Sequence, residues 1–152
     1  MNAQKIIFAT DFSPGSQTTL AVASSLAKST GAELLIVHCT VPPAVYGGAE
    51  MVTHLGEMDE KLSRERLAAI TPHDPAVRVR RELLHGDPAK EVVDLARREK
   101  ADLIVVGSHG RTGLERLLMG SVAESIVRRA SCPVLTIKPQ KVVGSPPAKQ
   151  PK

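Results

Sequence analysis

The sequence predicts an α/β fold: a doubly wound, five-stranded parallel sheet in the order 3-2-1-4-5, with helices on both faces. Three observations carry that expectation. Five short apolar runs rich in strand formers alternate strictly with four segments of helical periodicity. The joints between them hold the glycines, prolines and capping residues that stop one element and start the next. A length of 152 residues allows one such domain and no second of full size. Parallel neighbours need crossover connections, and each crossover helix must bury its stripe on the sheet, so alternation and a two-sided sheet imply one another.

Taken in order, Lys5 to Thr10 (KIIFAT) is the first strand. Ser13-Pro14 sets a capping residue before a proline, which predicts a helix that opens at Pro14, runs to Thr30 and stops at Gly31. Leu20, Ala23, Leu26 and Ala27 supply its apolar stripe. Ala32 to Cys39 (AELLIVHC) is the second strand, closed by the turn-forming stretch from Pro42-Pro43 to Gly47-Gly48. Met51, Leu55, Met58 and Leu62 recur at spacings of four and three, which predicts a helix lying on the sheet by that stripe and extending to about Ile70. Pro72 and Pro75 break it, and Val77 to Leu84 (VRVRRELL) is the third strand.

Asp87 then caps, and Pro88 opens, a helix carrying Ala89, Val92, Val93 and Ala96 on one face. Asp102 to Val106 is the fourth strand, followed by a glycine-bearing loop from Gly107 to Gly120. Ser121 and Glu124 stand at capping-box spacing, which predicts a helix from Val122 to Ala130 with Ile126 and Val127 turned inward. Pro133 to Lys138 (PVLTIK) is the last strand. Residues 1–138 therefore read as one domain, and 139–152, with Pro139, Pro146, Pro147 and Pro151, as a flexible basic tail.

Composition narrows the function classes. With 42% hydrophobic and 24% charged residues the domain needs neither disulfides nor metal to fold. Phe8, Phe12 and Tyr46 are its only aromatics, too few to stack successive bases, which argues against a nucleic-acid partner. Lys141, Lys149 and Lys152, with no acid among them, carry +3 of the net +4, so the basic character belongs mostly to the tail. The run Ile6 to Ala9 is too short for a signal-peptide core and no stretch approaches a transmembrane length, so the cytoplasm is the expected compartment and no membrane partner is expected. Cys39 and Cys132 have no zinc or disulfide spacing and read as small buried hydrophobes, at opposite ends of a parallel sheet. His38, His54, His73 and His85 are scattered and give no support for a metal site.

In an open doubly wound sheet ligands bind beyond the carboxyl ends of the strands, where the strand order reverses. For the order above, that point lies between the first and fourth strands, so Thr10-Asp11 and Gly107-Ser108-His109-Gly110 converge on one crevice. Glycines let backbone N–H groups approach an anion, and Gly120-Ser121 leads into a helix whose N-terminus favours negative charge. The plainer alternative is that Gly107 and Gly110 only relieve a tight turn while Ser121 only caps its helix; three glycines framing one loop at a switch point favour phosphate. Neither G-x-x-x-x-G-K-[ST] nor a G-x-G-x-x-G after the first strand is present, which argues against Walker-type NTPases and standard dinucleotide dehydrogenases. Ser13 is better placed than Asp11 to cap the first helix, which leaves Asp11 for ligand. Ser108 and His109 are sequence neighbours, which seldom face one another, so His109 reads as a solvated loop residue, and Arg111 as solvated surface.

The spacing Gly107-x2-Gly110-x9-Gly120-Ser121, with the segments IIFATDFSPGS and HGDPAKEVVDLA, resembles the ATP-binding branch of the universal stress proteins over about residues 4–138. The resemblance implies a five-stranded parallel sheet with ATP across the crevice. It places Asp11, with Thr10 beside it, near the ribose and a nucleotide-bound magnesium, and backbone groups at Cys39 against the adenine. Val106 and Gly107 would line the ribose, and Gly110, Gly120, Ser121 and Val122 would hold the phosphates. Ala123 offers no hydroxyl, leaving Ser121 as the one side-chain donor there. The function implied is a cytoplasmic stress-response protein with ATP as effector and slow hydrolysis at most.

Two other readings stand beside it. The first is a nucleotide-free interaction module of the same fold, against which the intact glycines speak. The second is a nucleotidyl-transferring enzyme, for which no lysine or histidine cluster is apparent. The third strand carries Arg78, Arg80, Arg81 and Glu82, charges that discourage further pairing, whereas the last strand has none before Lys138. A homodimer through that last strand is therefore expected, and the resemblance implies the same.

Overall fold

The computed structural model describes residues 2–42, 49–109 and 119–138, with backbone alone for 49–54; Gly110, Arg111 and the tail 139–152 lie outside them. Among the described residues the chain runs β1 (Lys5–Ala9), α1 (Ser16–Thr30), β2 (Glu33–Thr40), α2 (Ala49–Ala69), β3 (Val79–His85), α3 (Pro88–Glu99), β4 (Leu103–Gly107), α4 (Ser121–Arg129) and β5 (Val134–Ile137). The strands pair in parallel in the order β3-β2-β1-β4-β5, as expected. Phe8 lies opposite both Ile36 and Val105, and Gly107 opposite Ile137.

Successive side chains of a strand point to opposite faces, so the apolar runs feed two cores. Ile6, Phe8, Leu34, Ile36 and Val105 pack with Leu20, Ala23 and Ala27 of α1 and Leu67 of α2. Ile7, Leu35, Val37, Ile104 and Val106 pack with Val92, Val93 and Ala96 of α3 and Ala123 and Ile126 of α4. Asp87 caps α3 as expected, its carboxylate accepting the Lys90 N–H at 2.8 Å with Pro88 in the first turn. Among the described residues no helix is long and apolar enough to cross a membrane.

Four expectations need correction. The first helix begins at Ser16, not Pro14, with Gly15 at its N-cap. Ser13 and Pro14 belong to a preceding turn in which the Ser13 carbonyl accepts both the Ser16 N–H at 3.0 Å and the Ser16 hydroxyl at 2.6 Å. In α4 the N-cap is Gly120 and Ser121 is already helical, because the Gly120 N–H is tied to the Ser108 carbonyl at 2.6 Å and fixes where the chain turns in. Of Ile126 and Val127 only Ile126 is buried, since a nine-residue helix resting on Ala123 and Ile126 turns Val127 outward. The α2 stripe does not lie on the sheet either: Leu55, Met58 and Leu62 are 49%, 59% and 47% exposed, while Ser63 and Leu67, one turn apart, are buried.

Candidate functional site

The carboxyl ends of β1, β2 and β4 open on a cavity of about 710 Å³. Of the expected site residues it brings together Thr10, Asp11, Cys39, Val106, Gly107, Gly120, Ser121 and Val122; Gly110 lies outside the described residues. Three strand ends and one helix start, far apart in sequence, thus meet because β1 lies between β2 and β4 while the crossover helices α1 and α3 lie on opposite faces.

The turn after β1 is tightly specified. Thr10 Oγ1 accepts the Phe12 N–H at 3.1 Å, and Asp11 Oδ1 accepts the Ser13 N–H at 2.9 Å. Asp11 therefore fastens its own turn, contrary to the expectation that Ser13 would take over capping. Phe12 sits at φ 63°, a left-handed conformation that costs a non-glycine residue about 1–2 kcal/mol. Its ring stacks on His38, centroids 4.0 Å apart, and His38 Nδ1 lies 2.8 Å from the Thr10 carbonyl oxygen. A carbonyl only accepts, so Nδ1 carries the proton.

On the β4 side Gly107 has room among the described residues. Gly31 and Gly86 sit at positive φ, where a side chain is strained, but Gly120 is extended at φ −69°, ψ 157°. Among the described residues a Cβ on Gly107 would meet Thr19 Oγ1 at 3.5 Å and the His109 carbonyl at 3.6 Å, ordinary contacts. Turn relief therefore does not account for Gly107; Gly110, for which the same explanation was open, lies outside the described residues. The N-cap of α4 is a glycine, which has no side chain to cap it, and the helix start lines the crevice, where the Ser121 hydroxyl has no hydrogen-bond partner among the described residues. Ser108 and His109, expected not to face one another, do meet: Ser108 Oγ lies 2.9 Å from His109 Nδ1.

These features have a family. The universal stress protein family model matches residues 2–138. The chain belongs to the universal stress protein family. It is 39% identical over 145 residues to universal stress protein MJ0531 of Methanocaldococcus jannaschii, covering 91% of this chain and 84% of that one. The solved structure of protein MJ0577 from the same organism superposes with a TM-score of 0.83 at 26% identity, over 92% of this chain and 99% of that one. A universal stress protein solved in complex with cAMP superposes at 0.62 with 25% identity, over 92% of this chain and all of that one (100%).

This universal stress protein has crevice walls that the sequence did not announce. The outward stripe of α2 supplies Leu55 and Leu62 to the cavity, with Asp59 and Arg66 from neighbouring turns. Arg66 is the only lysine or arginine among the described residues lining it, and its guanidinium carbon lies 5.8 Å from the Phe12 ring centroid. The helical spacing of Leu55 and Leu62 was visible, but which way that face turned depends on Leu67 packing into the core under the sheet. Cys39, expected to be buried, is half-buried: it packs against the core between the sheet and α3 and lines the cavity. Burial, then the Glu91 and Asp87 carboxylates, push its thiol up to about 11, and Sγ donates to the Gly86 carbonyl at 3.4 Å.

Proposed function

We propose that this universal stress protein binds an adenine nucleotide, ATP with its magnesium, as an effector in the crevice, with slow hydrolysis at most. The observation that carries the reading is the uncapped start of α4, with Ser121 open, in the same cavity as the Asp11 turn. A helix N-terminus with unsatisfied N–H groups attracts phosphate. Gly120, Ser121 and Val122, with Gly110, would hold the phosphates, Val106 and Gly107 the ribose side, and backbone groups at Cys39 the adenine. Thr10 and Asp11 would serve the ribose and the metal.

Among the described residues no three His, Cys, Asp or Glu side chains cluster as a metal site. A single carboxylate, Asp11, nevertheless suits magnesium, which binds through one or two carboxylates plus the phosphates and keeps several waters. The described lining offers Arg66 as its one strong cation, little with which to neutralise a phosphoryl transition state. Such a site retains its nucleotide. The cAMP complex of a relative supports the adenine class.

The test is to denature the purified protein and identify what it releases, then to titrate the emptied protein with ATP, ADP and cAMP by calorimetry. Adenine nucleotide in the supernatant, or tight ATP binding, is expected; neither would overturn the reading. A homodimer through β5 belongs to the same proposal, since β5 is an edge strand whose four residues are all half-buried in the single chain. Light scattering that finds a monomer at micromolar concentration would remove it.

A further inference from the structure

We propose that Phe12 and His38 act as a pair of positioning residues that fix Asp11 for its ligand; the inference rests on the nucleotide reading of the crevice. Two non-glycine residues have positive φ among those described, Phe12 and Lys100. Lys100 is the left-handed C-cap of α3, an ordinary place for it, whereas Phe12 stands at the end of the central strand. A turn of this shape forms without strain when glycine occupies the left-handed position. Here it carries a bulky aromatic, and strain of that kind persists where the surroundings over-determine it.

The surroundings are a closed ring of contacts. The Phe12 N–H goes to Thr10 Oγ1 (3.1 Å), the Phe12 ring lies on the His38 ring (4.0 Å), and the protonated Nδ1 of His38 returns to the Thr10 carbonyl (2.8 Å). Residue 11 is bracketed between the two residues so held, and its carboxylate closes the next turn onto Ser13 (2.9 Å). The β1–β2 register, with Ala9 opposite Val37, sets His38 beside Thr10, and Arg66 of α2 approaches the Phe12 ring. Three elements thus converge on the residue after Asp11. Loosening the ring leaves Asp11 in place on average but free to sample other turns, which weakens whatever its carboxylate holds.

A double-mutant cycle separates this role from a purely structural one, because residues acting through one another are non-additive. ATP with magnesium is titrated by calorimetry into wild type, Phe12→Gly, Asp11→Ala and the double variant. Phe12→Gly should lower affinity about tenfold with Asp11 present and by less than about twofold in the Asp11→Ala background. Phe12→Tyr, which keeps the ring, should bind as wild type. Should Phe12→Gly melt too early to assay, His38→Asn enters the same cycle: it removes the stack while an amide N–H can still reach the Thr10 carbonyl. Equal losses in both backgrounds, or no loss in either, would overturn the proposal. Absence of ATP binding in wild type would instead overturn the nucleotide reading, and the proposal with it.

Discussion

At the amino end of the sheet the Asp102 carboxylate accepts the N–H groups of Gln4 (2.8 Å) and Lys5 (3.0 Å), and Glu99 lies 2.6 Å from both the Lys5 ammonium and the Arg80 guanidinium. At the carboxyl end, α4 starts from a glycine N-cap with no side chain, Ser121 has no partner among the described residues, and Phe12 is held in a conformation that suits glycine. One end ties β1, β3, β4 and α3 together through carboxylates that meet N–H groups and cations, with Arg80 Nε left without a hydrogen bond among the described residues. The other leaves donors open and stores strain, as sites built for a ligand do. Changes at the first end should therefore move stability alone, and changes at the second should separate stability from binding.

The largest separation is expected for Val122→Asp. Val122 is 41% exposed in the first turn of α4 and lines the crevice. A carboxylate there complements the helix dipole and should hold or raise the thermal midpoint. The same charge would face the phosphates, and like-charge juxtaposition costs several kcal/mol, so ATP affinity should fall about a hundredfold. Calorimetry finding wild-type affinity in a folded Val122→Asp variant would break the contrast between the two ends.

That contrast was only half legible in the sequence. The parallel two-sided sheet followed from alternation, a property of local pattern, and with the order 3-2-1-4-5 the convergence of Thr10-Asp11 with Gly107 and Gly120-Ser121 followed in turn. Who caps what did not follow, because caps are decided by competition between neighbours. Asp11 took the Ser13 N–H, and the Ser108 carbonyl took the Gly120 N–H. The α2 stripe shows the same limit in another form. Periodicity identified one apolar face, but Leu55 and Leu62 line the cavity while Leu67 packs into the core against the sheet, a rotation that only packing fixes. The Phe12–His38 stack joins residues 26 apart through strand register, and neither residue type announces it.

A smaller effect, confined to stability, is expected at the amino end for Glu99→Gln. The hydrogen bond from Lys5, and after it the Arg80 guanidinium, hold the Glu99 carboxyl down at about 2 against an ordinary 4.5. Because the folded value is the lower one, the stabilisation is complete above pH 4.5 and is lost as the pH falls from there through about 2. Arg80 is 42% exposed, so solvent and salt screen part of the interaction. The midpoint at pH 7 should drop by roughly 2–4 °C, the gap from wild type should close near pH 2, and ATP affinity should not change. Thermal melts across that pH range check the first two, and a shift in ATP affinity would mean that the two ends are coupled.

The smallest effect, and the sharpest use of the comparison, belongs to Gly107→Ala. The position has no left-handed φ, and among the described residues a methyl group would find Thr19 Oγ1 and the His109 carbonyl at 3.5 and 3.6 Å, so none of these neighbours requires glycine there. Alanine also narrows the unfolded ensemble, and at a compatible backbone position the exchange stabilises by about 0.5 kcal/mol. If glycine is present because a ligand approaches the strand end, the added methyl should weaken ATP binding about threefold while the protein becomes slightly more stable. The opposite signs are what identify the cause: a packing defect would lower both, and a neutral surface position would change neither. Thermal melts and calorimetry on one preparation read both signs, and a Gly107→Ala protein that binds ATP as tightly as wild type would show that residue 107 serves neither the fold nor the ligand.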